Sequence, residues 1–110
     1  MDNYINPTQL VKMLRETTSF IEINFFKKDG TKRKMRATLN FDKIPIKKRP
    51  KEKDDLEELT KKTDILNEMS FIRVFDTEKG EWRGFIFKSI FEIKSHGKIY
   101  FIKYKEGRNP

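Results

Sequence analysis

Twelve Lys and Arg residues fall between positions 27 and 53 (Lys27, Lys28, Lys32, Arg33, Lys34, Arg36, Lys43, Lys47, Lys48, Arg49, Lys51 and Lys53). Only Asp29, Asp42 and Glu52 oppose them there. The segment has a surplus of nine positive charges while the whole 110-residue chain carries +8, so the remainder is close to neutral. Cations gathered in this way create a local positive field, and nucleic acid is the commonest polyanion that answers it. If Met35, Ala37 and Leu39 point inward on a strand, Lys32, Lys34 and Arg36 form one outer row spaced by about 6.8 Å. That is close to the phosphate spacing of an extended strand. Lys27 and Lys28 prolong the row at a turn, and Lys47, Lys48, Arg49, Lys51 and Lys53 form a flexible basic arm suited to wrapping phosphates. The plainer role of the same row is to keep a strand edge from aggregating.

Aromatic residues add a second kind of chemistry. The chain holds ten Phe, three Tyr and one Trp, more than one inner face needs, and alternation should push one member of Phe25-Phe26, and one member of Phe85/Phe87 taken with Ile86, outward. Phe20, Phe26 and either Tyr4 or Tyr100 are therefore candidates for an exposed stacking surface of the kind that holds single strands. Packing beneath the helix or the long insertion is the competing role for each. Trp82 either stacks on a base or closes the core.

Catalysis finds little support. His96 is the only histidine and sits in a turn beside Gly97, and there is no Cys, which argues against zinc and thiol chemistry. Asp54, Asp55, Glu57 and Glu58 lie in a charge run without the alternation of a calcium loop. Gly80 and Gly84 precede no helix N-terminus, so they form no phosphate-binding loop. The expectation is a non-enzyme with no metal and no cofactor.

The elements that must carry these residues can be read from period and punctuation. Asn6-Pro7 is an N-cap followed by a favoured first helical residue, and Leu10, Met13 and Leu14 recur at helical spacing, predicting a helix over 7–16. From Ser19 the period becomes two. Ile21, Ile23 and Phe25 mark a strand, Asp29-Gly30 a type I′ hairpin turn, and Met35, Ala37 and Leu39 the returning strand. Residues 46–69 read as a long, charged, mobile insertion, with a helical turn or two at 54–62. Strands resume at 71–75 and 82–88, joined by a turn at 76–81, and Gly84 marks a bulge or bend. A third hairpin turns at Ser95-His96-Gly97-Lys98, and residues 107–110 fray. The fold expected is mainly β: one domain over 1–106, with a short helix and five or six strands in a strongly bent antiparallel sheet or small barrel. With no Cys, no secretory leader and no long apolar run, the expectation is a cytoplasmic protein (in the host cytoplasm if phage-encoded) without membrane contact.

Two blocks, FFKKDGTKRKMRATLNFDKIP (25–45) and IRVFDTEKGEWRGFIFKSIFEI (72–93), resemble WYL-type domains of small phage and bacterial proteins with an Sm-like, SH3-like β-barrel fold. The specific residues are Asp29-Gly30, Thr38-Leu39-Asn40, Glu78-Lys79-Gly80, Trp82-Arg83 and Ser89-Ile90. The resemblance implies a small barrel and a phage source, and it adds Arg83, which matches a basic position of the WYL nucleic-acid or nucleotide pocket. Ile86 stands where that pattern has its second basic residue.

Two functions remain open. One is a phage-encoded nucleic-acid-binding module, an accessory or regulatory factor in transcription or replication. The other is an effector that docks on a host enzyme or polymerase (host protein as partner) without touching nucleic acid. Self-assembly through an edge strand at 99–104 is a third possibility.

Overall fold

The computed structural model describes residues 3–50 and 66–104. The acidic run at 54–58, the helical turns at 54–62, Lys51, Lys53 and the tail at 107–110 lie outside the described residues.

The helix forms where its caps direct it. α1 (Pro7–Glu16) begins at Asn6, whose side chain accepts from the Gln9 N–H at 2.7 Å, while Gln9 Oε1 accepts from the Asn6 N–H at 2.8 Å. These two bonds satisfy orphan donors of the first turn reciprocally. Leu10, Val11 and Leu14 are buried. The helix stops at Thr17, which turns extended as its N–H donates to the Met13 carbonyl.

Seven strands follow from the period-two segments and one further piece. They are β1 (Asn3–Ile5), β2 (Ile21–Phe26), β3 (Lys32–Thr38), β4 (Phe71–Asp76), β5 (Glu81–Ile86), β6 (Ile90–Ser95) and β7 (Lys98–Ile102). The order across the sheet is β1-β7-β6-β2-β3-β4-β5, antiparallel except that β1 lies parallel to β7. The expected strands are thus present, but the sheet is mixed rather than purely antiparallel, and it is not closed. Because β1 pairs with β7 through Asn3↔Tyr100 to Ile5↔Ile102, the strand expected as an edge at 99–104 is an inner one. Among the described residues the sheet ends at β1 and β5.

The turns also differ in detail. At Asp29-Gly30 only Gly30 has a positive φ, and its N–H donates to the Lys27 carbonyl. The loop is therefore a tight turn followed by a left-handed glycine, not type I′. The type I′ signature, two successive positive φ values, occurs instead at His96 (51°) and Gly97 (77°). Gly84 makes no bulge, since β4 and β5 stay in register from Phe71↔Ile86 to Asp76↔Glu81. A Cβ at 84 would overlap the Phe71 ring, so the missing side chain makes room for that ring.

The core gathers Leu10 and Leu14 of α1 with Ile21, Ile23, Met35, Ala37, Leu39, Ile44, Val74, Phe87 and Ile93. Phe25 of β2 stacks on Phe85 of β5 at 4.7 Å although they stand three strands apart, so the sheet curls until its wings meet. Within Phe85-Ile86-Phe87 both Phe are buried and Ile86, between them, is half-buried, so the less buried member is the isoleucine. The strand then ends in a 3-10 turn at Phe87–Ser89. Thr38-Leu39-Asn40 joins β3 to the end of the helix. The Leu39 N–H donates to the Leu14 carbonyl at 2.9 Å, and Asn40 Nδ2 donates to the Thr17 carbonyl at 2.8 Å.

β3 meets β4 at only two positions, Ala37↔Asp76 and Thr38↔Phe75. Asp76, 3% exposed at its side chain, reinforces that join: one oxygen accepts from Glu78 and Lys79 N–H groups and the other lies 3.3 Å from Arg33 Nη2. We expect Asp76→Ala to lower unfolding free energy by about 2 kcal/mol and Asp76→Asn, which keeps the turn acceptor, by about half as much. Urea denaturation monitored by circular dichroism measures both, and equal losses would assign the effect to the ion pair alone.

Candidate nucleic-acid interface

Strand pleating sorts the basic residues. Lys32, Lys34 and Arg36 are exposed and Met35 and Ala37 are buried, so the three cations share one outer row of β3. Arg33 faces the other way, toward Asp76. Lys27 and Lys28 are exposed in the turn that leads into the row. Asp29 orders that turn by accepting from the Thr31 hydroxyl at 2.6 Å and the Thr31 N–H at 3.0 Å. These bonds hold the Asp29 carboxyl below its ordinary value of 3.8. A lowered carboxyl contributes stability above its ordinary pKa and loses it as pH falls through the lowered one.

Across the sheet, the outer row of β3 faces Phe26, Asn24 and Glu22 of β2, through Phe26↔Lys32, Asn24↔Lys34 and Glu22↔Arg36. Beyond β2 come Glu92 and Lys94 of β6. Between Asn24 and Phe25 the β2–β6 register jumps from Glu92 to Ile90, leaving Phe91 as the extra residue of a bulge. Bulges re-aim side chains, and this one sets the Phe91 ring 4.8 Å from Phe26, with Lys32 Nζ 5.4 Å from the Phe91 centroid. At the other end of the face the Arg36 guanidinium lies 4.9 Å from the Phe20 centroid. Between these two clusters Asn24 Nδ2 donates to Glu22 at 3.1 Å and Glu92 at 3.5 Å, and Lys94 Nζ is 3.9 Å from each carboxylate.

Phe26, 41% exposed, is therefore outward as alternation implied, Tyr4 is exposed as well, and Phe20 is half-buried beneath Arg36. Trp82 has another use. Its indole N–H donates to the Lys48 carbonyl at 2.8 Å, and its ring meets Phe75 edge-on at 5.7 Å. The first part of the expected flexible arm is consequently folded. Residues 46–48 form a 3-10 turn, and Arg49 Nε donates to the Ile44 carbonyl while its guanidinium covers Phe41 at 5.0 Å. Lys47 and Lys48 stay exposed, but their turn is docked on β5, two strands along the sheet from β3. Arg83 stands opposite the buried Val74 and so on the core-facing side, where Nη2 pairs with Glu81 at 3.0 Å and the buried Nε has no partner among the described residues. The structure thus brings together Lys27, Lys28, Lys32, Lys34, Arg36 and Phe26, and sets Lys47, Lys48, Arg49, Trp82 and Arg83 elsewhere.

Sequence reading missed Phe91, Glu22, Asn24, Glu92 and Lys94. The four polar positions follow from pairing β2 with β6, but no local signal marks the bulge that turns Phe91 outward. Among the described residues no three His, Asp or Glu side chains gather as a metal site, and no helix is long and apolar enough to cross a membrane.

A curled, mostly antiparallel and unclosed sheet, with one short helix between β1 and β2, defines a mainly β class of small domain. The family model for WYL_2, Sm-like SH3 beta-barrel fold, matches residues 8–90, and the chain belongs to that family. No curated protein and no solved structure matches the chain. The matched stretch ends where β6 begins, so Phe91, Glu92 and Lys94 lie beyond it.

Trp82→Phe retains the ring and removes the bond to Lys48, which should cost about 1 kcal/mol and free residues 46–49. Limited trypsin digestion should then cut after Lys47 or Lys48 several-fold faster than in the parent, and an unchanged rate would mean that the indole does not hold the turn. For Asp29, an NMR titration of the Thr31 amide should show its midpoint below 3.8.

Proposed function

We propose that this protein is a nucleic-acid-binding module without a catalytic step. It would act as an accessory or regulatory factor in transcription or replication, in the phage setting that the WYL resemblance implies. The observation that carries this reading is the exposed row Lys32, Lys34 and Arg36 on one face of β3, led by Lys27 and Lys28. Contacts from such a row go to phosphates, which supply affinity and register but no sequence information. Glu22 and Glu92 nearby keep phosphates off β2 and confine the backbone to the β3 side of the face.

A host protein partner is the second reading. It is favoured by Met69 and Phe71, each 61% exposed, beside the open strand β5. Exposed apolar residues beside an unpaired edge are the usual ingredients of a protein contact.

Fluorescence anisotropy with labelled oligonucleotides at two salt concentrations tests the first reading. Log K should fall with log salt by about 0.7–0.9 for each phosphate neutralised. The K32A/K34A/R36A variant should flatten that slope by about two to three. No binding at low salt, together with a pull-down that survives nuclease, would replace the first reading with the second.

A further inference from the structure

The face beside the β3 row holds more than phosphate chemistry needs. Two aromatic rings, Phe26 and Phe91, lie together at one end, and Phe20 lies under Arg36 at the other. Phe26 lies six residue steps beyond Phe20, about 20 Å at strand rise, the length of a few stretched nucleotides. Between them are two carboxylates, Glu22 and Glu92. Asn24 and Lys94 contact one oxygen of each, and the other oxygen has no protein partner among the described residues. At the Phe20 end the face continues into a groove of about 400 Å³ lined by Glu22, Lys94, His96 and Ile99.

Each part has a complementary part in a single strand laid with its backbone along β3 and its bases toward β6. The cation row takes phosphates, the ring pair takes the flat face of a base, and a free carboxylate oxygen accepts from an exocyclic amine. Cytosine N4 and adenine N6 are such amines, while thymine and uracil present a carbonyl there. A carboxylate repels that carbonyl and attracts the amine, so the same pair both selects and rejects. In a duplex the base faces are stacked away and cannot reach Phe26.

We propose that the β2–β3–β6 face binds single-stranded nucleic acid with a base stacked on Phe26 and Phe91, and that Glu22 and Glu92 select bases bearing an exocyclic amine. This rests on the nucleic-acid reading above and specifies its ligand. The occupant's chemistry is fixed by the charge pattern: a cationic row on one side of an acidic centre suits a chain whose backbone is anionic and whose base edges donate.

The test is anisotropy with the full chain and 12-mers of oligo(dC) and oligo(dT), repeated with oligo(rC) and oligo(rU), beside a mixed duplex. Oligo(dC) should bind about tenfold tighter than oligo(dT), with the RNA pair ordered alike, and the RNA arm decides which sugar is preferred. E22Q/E92Q should raise oligo(dT) affinity and bring the ratio close to one. Phe26→Ala should weaken single strands about tenfold while leaving the duplex unchanged, and Phe26→Trp, which keeps a stacking ring, should retain binding. Circular dichroism checks that each variant folds. Salt-dependent binding with equal affinity for dC and dT, or a Phe26→Ala variant that binds single strands normally, would overturn this proposal and leave the phosphate reading standing. Absence of binding to every oligonucleotide at low salt would overturn both.

Discussion

Everything in the sheet passes through a narrow join at Asp76. Five strands lie on one side of it and two on the other, and between β3 and β4 the ladder has two positions. A join this short is insufficient unless side chains extend it. Asp76 does so from the buried side, by ordering the turn that follows β4 and by meeting Arg33 from β3. Thr77 adds two bonds to the Arg36 carbonyl, at 2.8 Å from its N–H and 3.1 Å from its hydroxyl. A buried carboxylate left without these partners would be strongly unfavourable, so the hairpins hold their relative angle or the group loses its compensation. The stack of Phe25 on Phe85, which curls the sheet, depends on that angle.

The brevity of the join also shapes the outer surface. Because β4 turns away after Ala37, residues 32–35 of β3 have no strand on their far side among the described residues. An open edge invites pairing with another chain, and natural sheets answer with charge. Lys32 and Lys34 fulfil that need and, by the same placement, form a row reachable by an extended polyanion. A defensive role for these lysines and the binding role proposed for them are therefore compatible. The residues that separate them are the aromatic ones, since an edge guard has no use for Phe26 and Phe91 side by side.

Much of the architecture was legible where a local rule controls the chain. Asn6, Pro7 and the spacing of Leu10 and Leu14 fix the helix, and alternation fixes which side chains of β2 and β3 face outward. Features decided by distant partners were not legible. The three-residue β1 is too short for a pattern of its own and exists because β7 accepts it. Trp82 looked equally suited to a base or to the core, and only the position of the Lys48 carbonyl decides. The turn at Asp29-Gly30 has a type I′ sequence, yet the Thr31 hydroxyl and N–H give the Asp29 carboxylate a better arrangement. The bulge at Phe91 depends on how β2 and β6 slide past one another, which neither strand encodes alone.

The parallel pairing of β1 with β7 bears on how the fold would respond to tension. The strands at the two ends of the described chain are neighbours running in the same direction, and the Lys103 N–H adds a bond to the Ile5 carbonyl beyond their ladder. A force drawing the start of β1 away from the end of β7 acts along both strands, so their bonds are sheared together instead of being peeled one at a time. This small strap therefore meets a stretching load before the curled sheet behind it does.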